Sequence, residues 1–194
     1  MDYVIWVSIG YLSGSIPTGY WLGRLKGIDL TEIGSGSTGA TNVLRNLGPA
    51  TAIITFLVDV LKGFLPVYFA MKLQSNNFLV VCVAIACMLG HSKSLFLKFK
   101  GGKSSATSLG LLIAISPEVA AISFLIWLVV VFVSRYSSLG SIIAVPLAPL
   151  WLYLLHKPMI YVAFTMFAAF YVVLIRHREN IQRLIKGIEP KIGH

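Results

Sequence analysis

Residues 118–134 read EVAAISFLIWLVVVFVS, the four residues RYSS follow at 135–138, and residues 139–155 read LGSIIAVPLAPLWLYLL. Past Glu118 neither apolar run carries a charge, and neither alternates with the period of two that marks a half-buried strand. A bilayer core of about 30 Å is crossed by roughly 20 helical residues. Two uncharged runs of nearly that length, parted by a short break holding Arg135, therefore predict two antiparallel transmembrane helices. The same pattern recurs outward along the chain, at 3–23, 50–71, 78–97, 104–115 and 158–175. Gly14 and Pro17 interrupt the first of these and are expected to kink it. The run 104–115, at 1.5 Å rise per residue, covers only about 18 Å. Seven spans result, and merging a neighbouring pair would change that count.

Composition agrees with a lipid solvent. Of 194 residues, 57% are hydrophobic and 12% are charged, and mean hydropathy is +0.82. Soluble domains carry about 25% charged residues. The length suits one helical bundle, a single domain over 1–194. Sixteen Lys and Arg against seven Asp and Glu give a net charge of +9, which in a soluble protein would suggest nucleic acid. Here it follows the positive-inside rule: thirteen of the sixteen basic residues fall in 24–49, 92–103, 134–138 and 176–194, which seven spans place on one side. That side is cytoplasmic, with the N-terminus outside and the C-terminus inside. The N-terminal run lacks a basic leader and a cleavage site, so it reads as a retained helix. Cys82 and Cys87 lie inside an apolar run and read as small core residues. Asp59 and Lys62, three apart within the second span, are placed to pair on one helix face. An intramembrane ionisable pair is a functional candidate, and a structural pair is the competing reading.

Three polar segments share the basic side. The first, 34–45, reads GSGSTGATNVLR. Gly34, Gly36 and Gly39 allow backbone N–H groups to turn inward around an anion, Thr41 or Asn42 is placed to cap a short helix, and Arg45 suits two phosphate oxygens at once. A flexible linker is the plainer reading, but it has no use for Asn42 and Arg45. The second begins at Gly90 and His91 and ends in 99–107, FKGGKSSAT. A P-loop would need glycine at 97, where Leu97 stands. A glycine turn, a lysine and a helix N-terminus remain, which suit a phosphate. His91 does not open an H-x-x-x-x-D pattern, since position 96 is Phe96. Lys93 and Lys98 read as contacts to anionic lipid. The third, 176–189, reads RHRENIQRLIKGIE. An amphipathic interfacial helix explains Arg178, Arg183, Ile181 and Ile185. It leaves His177 and Asn180, on one helix face, without a purpose; a histidine at the membrane face suits acid–base chemistry. Neither the cysteines nor the four histidines have partners at metal-ligand spacing.

In order along nearly the whole chain, these segments resemble the bacterial membrane glycerol-3-phosphate acyltransferases of the PlsY type, which use acyl phosphate. The first matches the family's GSGN-x-GATN-x-x-R pattern over 34–45. The second matches GH and then FKGGKG-x-AT at Gly90, His91 and 99–107, and the third RH-x-x-NI-x-RL-x-x-G-x-E over 176–189. A short match, RYSSLGS, lies at 135–141. Ser37 stands where the family has asparagine, Ser104 where it has glycine, and the His91 stretch lacks the usual proline. The resemblance implies transfer of a fatty acyl group from acyl phosphate to the sn-1 hydroxyl of glycerol 3-phosphate, giving lysophosphatidic acid and phosphate. It implies catalytic roles for Ser35, Arg45, His177 and Asn180, and substrate contacts from Gly36, Ser37, Thr41, Asn42, Gly101, Gly102, Lys103, Ser104 and Ser141. Glu189 is expected to be structural. Either His177 or a substrate phosphate takes the hydroxyl proton. Expected are no metal, no cofactor, no nucleic acid and no obligate protein partner, in a multi-pass bacterial inner-membrane protein with its site at the cytoplasmic face.

The rival function is a membrane transporter of an organic phosphate anion, whose broken helices would also carry basic glycine loops. Against it, the polar segments gather on one side and no inverted repeat is visible. A non-enzymatic scaffold leaves His177 and Asn180 unexplained, and a CDP-alcohol phosphotransferase would need a metal-binding aspartate cluster that the sequence lacks.

Overall fold

Pro17 divides the first apolar run into two helices, α1 (Asp2–Ser15) and α2 (Thr18–Leu25). Proline has no N–H to donate and breaks the ladder behind it. The carbonyls freed at the break find other donors: Ser94 Oγ donates to the Ser15 carbonyl at 2.5 Å and Lys62 Nζ to the Ile16 carbonyl at 2.8 Å. The kink expected there is thus a full interruption. The computed structural model describes residues 2–74 and 76–193; Met1, Ser75 and His194 lie outside. All regular structure among the described residues is helical, and an isolated bridge joins Ser94 to Lys100.

The chain forms two compact units, 1–114 and 115–194. In the first, α3 (Ala40–Leu47), α4 (Pro49–Leu73), α5 (Asn77–Ser92), a 3₁₀ turn (Leu95–Leu97) and α6 (Ser105–Ile115) follow α2. The α1–α5 pair is held by glycine. A Cβ on Gly10, Gly14 or Gly90 would overlap the facing carbonyl of Val83, Cys87 or Tyr11. The α4–α6 pair repeats the device, Gly63 against the Thr107 carbonyl and Gly110 against the Val60 carbonyl. Lipid supplies no hydrophobic force between apolar helices, so close backbone approach and its dispersion energy must do so.

The second unit holds α7 (Pro117–Ser134), α8 (Ser137–Leu154), α9 (Met159–Phe170), a π-helical turn (Tyr171–Arg176) and α10 (Arg178–Ile185). Gly140 lets α8 approach Trp127 and Val131 of α7, and Trp127 Nε1 donates to the Ser137 carbonyl at 3.3 Å.

Each of the seven apolar runs is helical, but the third stops at Ser92, where the sequence pattern extends to 97. Among the described residues, four helices are by length and composition able to cross a bilayer: Pro49–Leu73, Pro117–Ser134, Ser137–Leu154 and Met159–Arg176. Asn77–Ser92 and Ser105–Ile115 are apolar but shorter. Side chains such as Val4, Phe132 and Val133 are largely exposed. An apolar surface of this extent has lipid as its solvent.

Candidate active site

The first polar segment is built around Asn42. Its side-chain amide is 2% exposed. It donates to the carbonyls of Leu30 (3.3 Å), Ile33 (3.2 Å) and Ser37 (2.9 Å), while its Oδ1 accepts from the Ser35 N–H (3.2 Å) and from Asn46 Nδ2 (3.1 Å). Four loop backbone groups and the side chain of Asn46 on α3 therefore take their place from one side chain. Gly34 and Gly36 have φ of 59° and 63°, and a Cβ on Gly34 would also overlap Asn42 Oδ1. The N-cap of α3 is Gly39, with no side-chain bond, and not Thr41 or Asn42: the Asn42 amide turns back because the loop carbonyls need its donors. Ser37 Oγ accepts from the Gly39 N–H at 3.3 Å. Ser35, Ser37, Thr41 and Arg45 are each half-buried.

Two flanking cations are structural. Lys26 Nζ donates to the Leu47 carbonyl (3.2 Å) and to Thr51 Oγ1 (2.8 Å), closing the C-terminal end of α3. Arg24 lies 3.5 Å from Asp29. The Thr31 hydroxyl, and then the Thr31 N–H, hold the Asp29 carboxyl below its ordinary range, with the charges of Arg24 and Lys100 adding to them.

In the second segment Lys98, Phe99 and Ser104 all have left-handed φ, at 51°, 62° and 67°. The turn brings the Gly102 N–H to the His91 carbonyl at 3.0 Å. Ser104, fully buried, donates through Oγ to the Met88 carbonyl at 2.9 Å, and its own carbonyl receives the Ser108 N–H at 2.7 Å as α6 begins. Lys93, Lys98 and Lys100 are exposed, whereas Lys103 is half-buried. Burial separates the lysine placed at the helix N-terminus from those left to solvent or lipid.

The third segment, in the other unit, begins at the π turn. Widening by one residue brings the Val172 carbonyl to His177 Nδ1, at 2.8 Å. A carbonyl only accepts, so Nδ1 carries the proton of the neutral ring and Nε2 keeps its lone pair. His177 is 3% exposed, as is Asn180. Asn180 Nδ2 donates to Glu189 Oε1 at 2.7 Å, Ser138 Oγ donates to the same oxygen at 2.8 Å, and Arg183 Nε donates to Oε2 at 2.7 Å. Burial pushes the Glu189 carboxyl up, but these three donors together outweigh it and the group sits below its ordinary range. Glu179 and Arg183, i and i+4 on α10, approach only to 4.0 Å, because Arg183 turns to Glu189.

Ser141 donates to the Ser137 carbonyl at 3.4 Å, within α8. Sequence reasoning passed over its neighbour Ser138, which binds Glu189; the short RYSSLGS match was the available signal. The Ile192 N–H also donates to the Arg135 carbonyl at 2.8 Å, so the last residues are tied to the α7–α8 turn.

The family model described as "Glycerol-3-phosphate acyltransferase" matches residues 4–187. A glycerol-3-phosphate acyltransferase of Synechococcus sp. (strain JA-3-3Ab) is 48% identical over 185 residues, covering 95% of this chain and 90% of that protein. One from Desulforamulus reducens is 46% identical over 184 residues, covering 94% and 92%. Among solved structures, the chain is similar to PlsY (YgiH), an integral membrane glycerol 3-phosphate acyltransferase. The glycerol 3-phosphate form matches with a TM-score of 0.95 and 40% identity over 100% of this chain and 96% of that one. The lysophosphatidic acid form gives 0.93 at the same identity and coverage.

Proposed function

The chain belongs to the glycerol-3-phosphate acyltransferase family, to its PlsY members, and on that premise we propose the reaction it carries out in full. It is a membrane acyltransferase that moves a fatty acyl group from acyl phosphate to the sn-1 hydroxyl of glycerol 3-phosphate. The hydroxyl oxygen bonds to the acyl carbonyl carbon, the carbonyl–phosphate bond breaks, and inorganic phosphate leaves. Acyl phosphate is a mixed anhydride with a good leaving group, so no acyl-enzyme is needed. The protein must hold two phosphates against their repulsion and orient the hydroxyl.

Ser35 and Arg45 serve the glycerol 3-phosphate side, with Gly36, Ser37 and Thr41 around them and Asn42 as the loop's scaffold. Gly101, Gly102, Lys103 and Ser104 serve the acyl-donor phosphate. His177 and Asn180 serve the hydroxyl, and Ser141 lies beside their support. The observation that carries this reading is the buried imidazole of His177, whose Nδ1 faces the Val172 carbonyl, so that Nε2 is the basic nitrogen of the neutral ring. The chain works as one acyltransferase domain over 1–194, crossing a bacterial inner membrane seven times. Its N-terminus is outside, and its C-terminus and reaction are at the cytoplasmic face.

The test is direct. Purified protein given acyl phosphate and glycerol 3-phosphate should form lysophosphatidic acid, with acyl-CoA or acyl-carrier protein giving none and EDTA leaving the rate unchanged. Comparable turnover with acyl-CoA, or an EDTA loss restored by Mg²⁺, overturns the donor or the metal-free chemistry. His177→Gln assigns the proton: a retained kcat gives it to a substrate phosphate, a lost kcat to His177.

A further inference from the structure

Asp59, Lys62 and His91 are ionisable, buried, and unused by the reaction proposed above. Lys62 Nζ lies 2.7 Å from Asp59 Oδ1, and His91 Nδ1 lies 3.7 Å from the same oxygen. Lys62 also spans to α1. Its Nζ donates to the Ile16 carbonyl at 2.8 Å, and its own carbonyl accepts from Ser13 Oγ at 2.9 Å. A buried ion pair is weak evidence for stability, because desolvation offsets its attraction. The helices that carry these residues already pack closely on others through glycine, α5 on α1 at Gly10, Gly14 and Gly90 and α4 on α6 at Gly63 and Gly110. The trio therefore calls for a reason other than holding helices together.

The other side of His91 supplies one. Its carbonyl accepts the Gly102 N–H at 3.0 Å. A Cβ on Gly101 would overlap that carbonyl, and a Cβ on Gly102 would overlap the imidazole at Nε2. Neither glycine has a positive φ; their lack of a side chain is required by proximity to His91. The imidazole thus stands between a fixed carboxylate and the backbone of the second segment. The Met88 carbonyl, three residues before His91, holds Ser104 at the far end of the same turn.

We propose that Asp59, Lys62 and His91 form a buried positioning unit that sets the backbone of the 101–103 loop. Lys62 anchors Asp59 at the α1–α2 break, Asp59 orients the His91 ring, and His91 presses against Gly102 so that the loop N–H groups and Lys103 face a phosphate. This rests on the reading of 101–103 as a phosphate loop. None of the three residues touches substrate.

Two independent arms test it in the full-length protein, with KM and kcat measured for both substrates. In the first, Gly102→Ala, His91→Ala and the double variant form a cycle. Gly102→Ala should raise the KM of the phosphate substrate held by the loop about 10-fold or more with kcat changed far less, and in the His91→Ala background the same alanine should cost about 2-fold or less. In the second, Asp59→Asn/Lys62→Gln removes both charges at similar volume, so no lone buried charge remains. It should raise the same KM several-fold while the melting temperature stays near the parent's. An equal cost of Gly102→Ala with and without His91 overturns the positioning unit but leaves the phosphate loop standing. An unchanged KM in Gly102→Ala alone removes the phosphate loop and the proposal with it. If His91→Ala does not accumulate, the second arm decides: a parental KM in Asp59→Asn/Lys62→Gln overturns the role of the pair.

Discussion

Ser104 shows how much a single backbone angle can explain. Its φ of +67° is a conformation that costs an ordinary L-residue about 1–2 kcal/mol. Its hydroxyl returns part of that through the buried bond to the Met88 carbonyl, worth about 0.5–1.5 kcal/mol net. Ser104→Gly should thus remain within about 1 kcal/mol of the parent, while Ser104→Ala keeps the strain, leaves the Met88 carbonyl without that donor and loses about 1–2 kcal/mol. Melting temperatures of the two variants check this order; an alanine variant as stable as the glycine one refutes it. Arg45 is the second case. A lysine keeps the charge but cannot present two parallel N–H groups to one phosphate. Arg45→Lys should therefore lose roughly 1.5–3 kcal/mol of substrate or transition-state binding, about 10- to 150-fold in kcat/KM. Parental kinetics in the folded variant would remove Arg45 from the site. The residue types of the first segment were legible in sequence because Gly34, Gly36 and Arg45 have few other uses together. The work of Asn42 was not, since five partners scattered over residues 30–46 leave no periodic trace.

At the scale of elements, the third segment is held by one carboxylate. Glu189 receives Asn180, Ser138 and Arg183 and so ties α10 to the start of α8. The structural role expected for it therefore has a definite form: it fixes the amide of Asn180. Because Glu189 is held below its ordinary value of 4.5 in the folded protein, its ionised form is favoured by folding. That contribution is complete above the unfolded value and is lost as pH falls through the lowered folded one. The protection of α10 amides, corrected for their intrinsic exchange rates at each pH, should thus stay flat down to about pH 5 and fall below it. Glu189→Gln should exchange faster at neutral pH and lose the acid step. An acid step of the same size in Glu189→Gln would assign it to another group. The helices themselves were readable from apolar runs, but two features were hidden. The α1–α2 interruption depends on carbonyl partners, Lys62 and Ser94, far away in sequence. The π turn depends on one extra residue between Tyr171 and Arg176, which composition does not register.

For the whole molecule, the proposed reaction turns on which side of the membrane each segment occupies. Hydropathy identifies the apolar runs, and among the described residues four helices reach a spanning length. The runs 3–23, 78–97 and 104–115 do not yield one long helix each, because Pro17 divides the first, Ser92 ends the second and the third has 11 residues. The proposed reaction needs the segments around Arg45, Lys103 and His177 on the cytoplasmic side, which seven crossings deliver. Five crossings would deliver it only if both lost crossings fell between the same pair of segments. Single cysteines in a background with Cys82 and Cys87 replaced by alanine resolve the question. Exposed positions are the right ones: Glu32 just before the first segment, Lys98 in the second and Lys191 beyond the third are all exposed, whereas Ser92 is fully buried and would label poorly from either side. Each of these three cysteines should react with an impermeant thiol reagent only after the cytoplasmic face is opened. A cysteine at the exposed Asn76, at the N-terminal end of α5, should react in intact cells. The variants must retain acyl transfer, so that labelling reports the active fold. If Glu32→Cys or Lys98→Cys labels from outside in active protein, the segment it reports on does not share the cytoplasmic side with His177 and Asn180. If Lys191→Cys does, His177 and Asn180 lose their role, and the hydroxyl of glycerol 3-phosphate must be oriented from within residues 1–114.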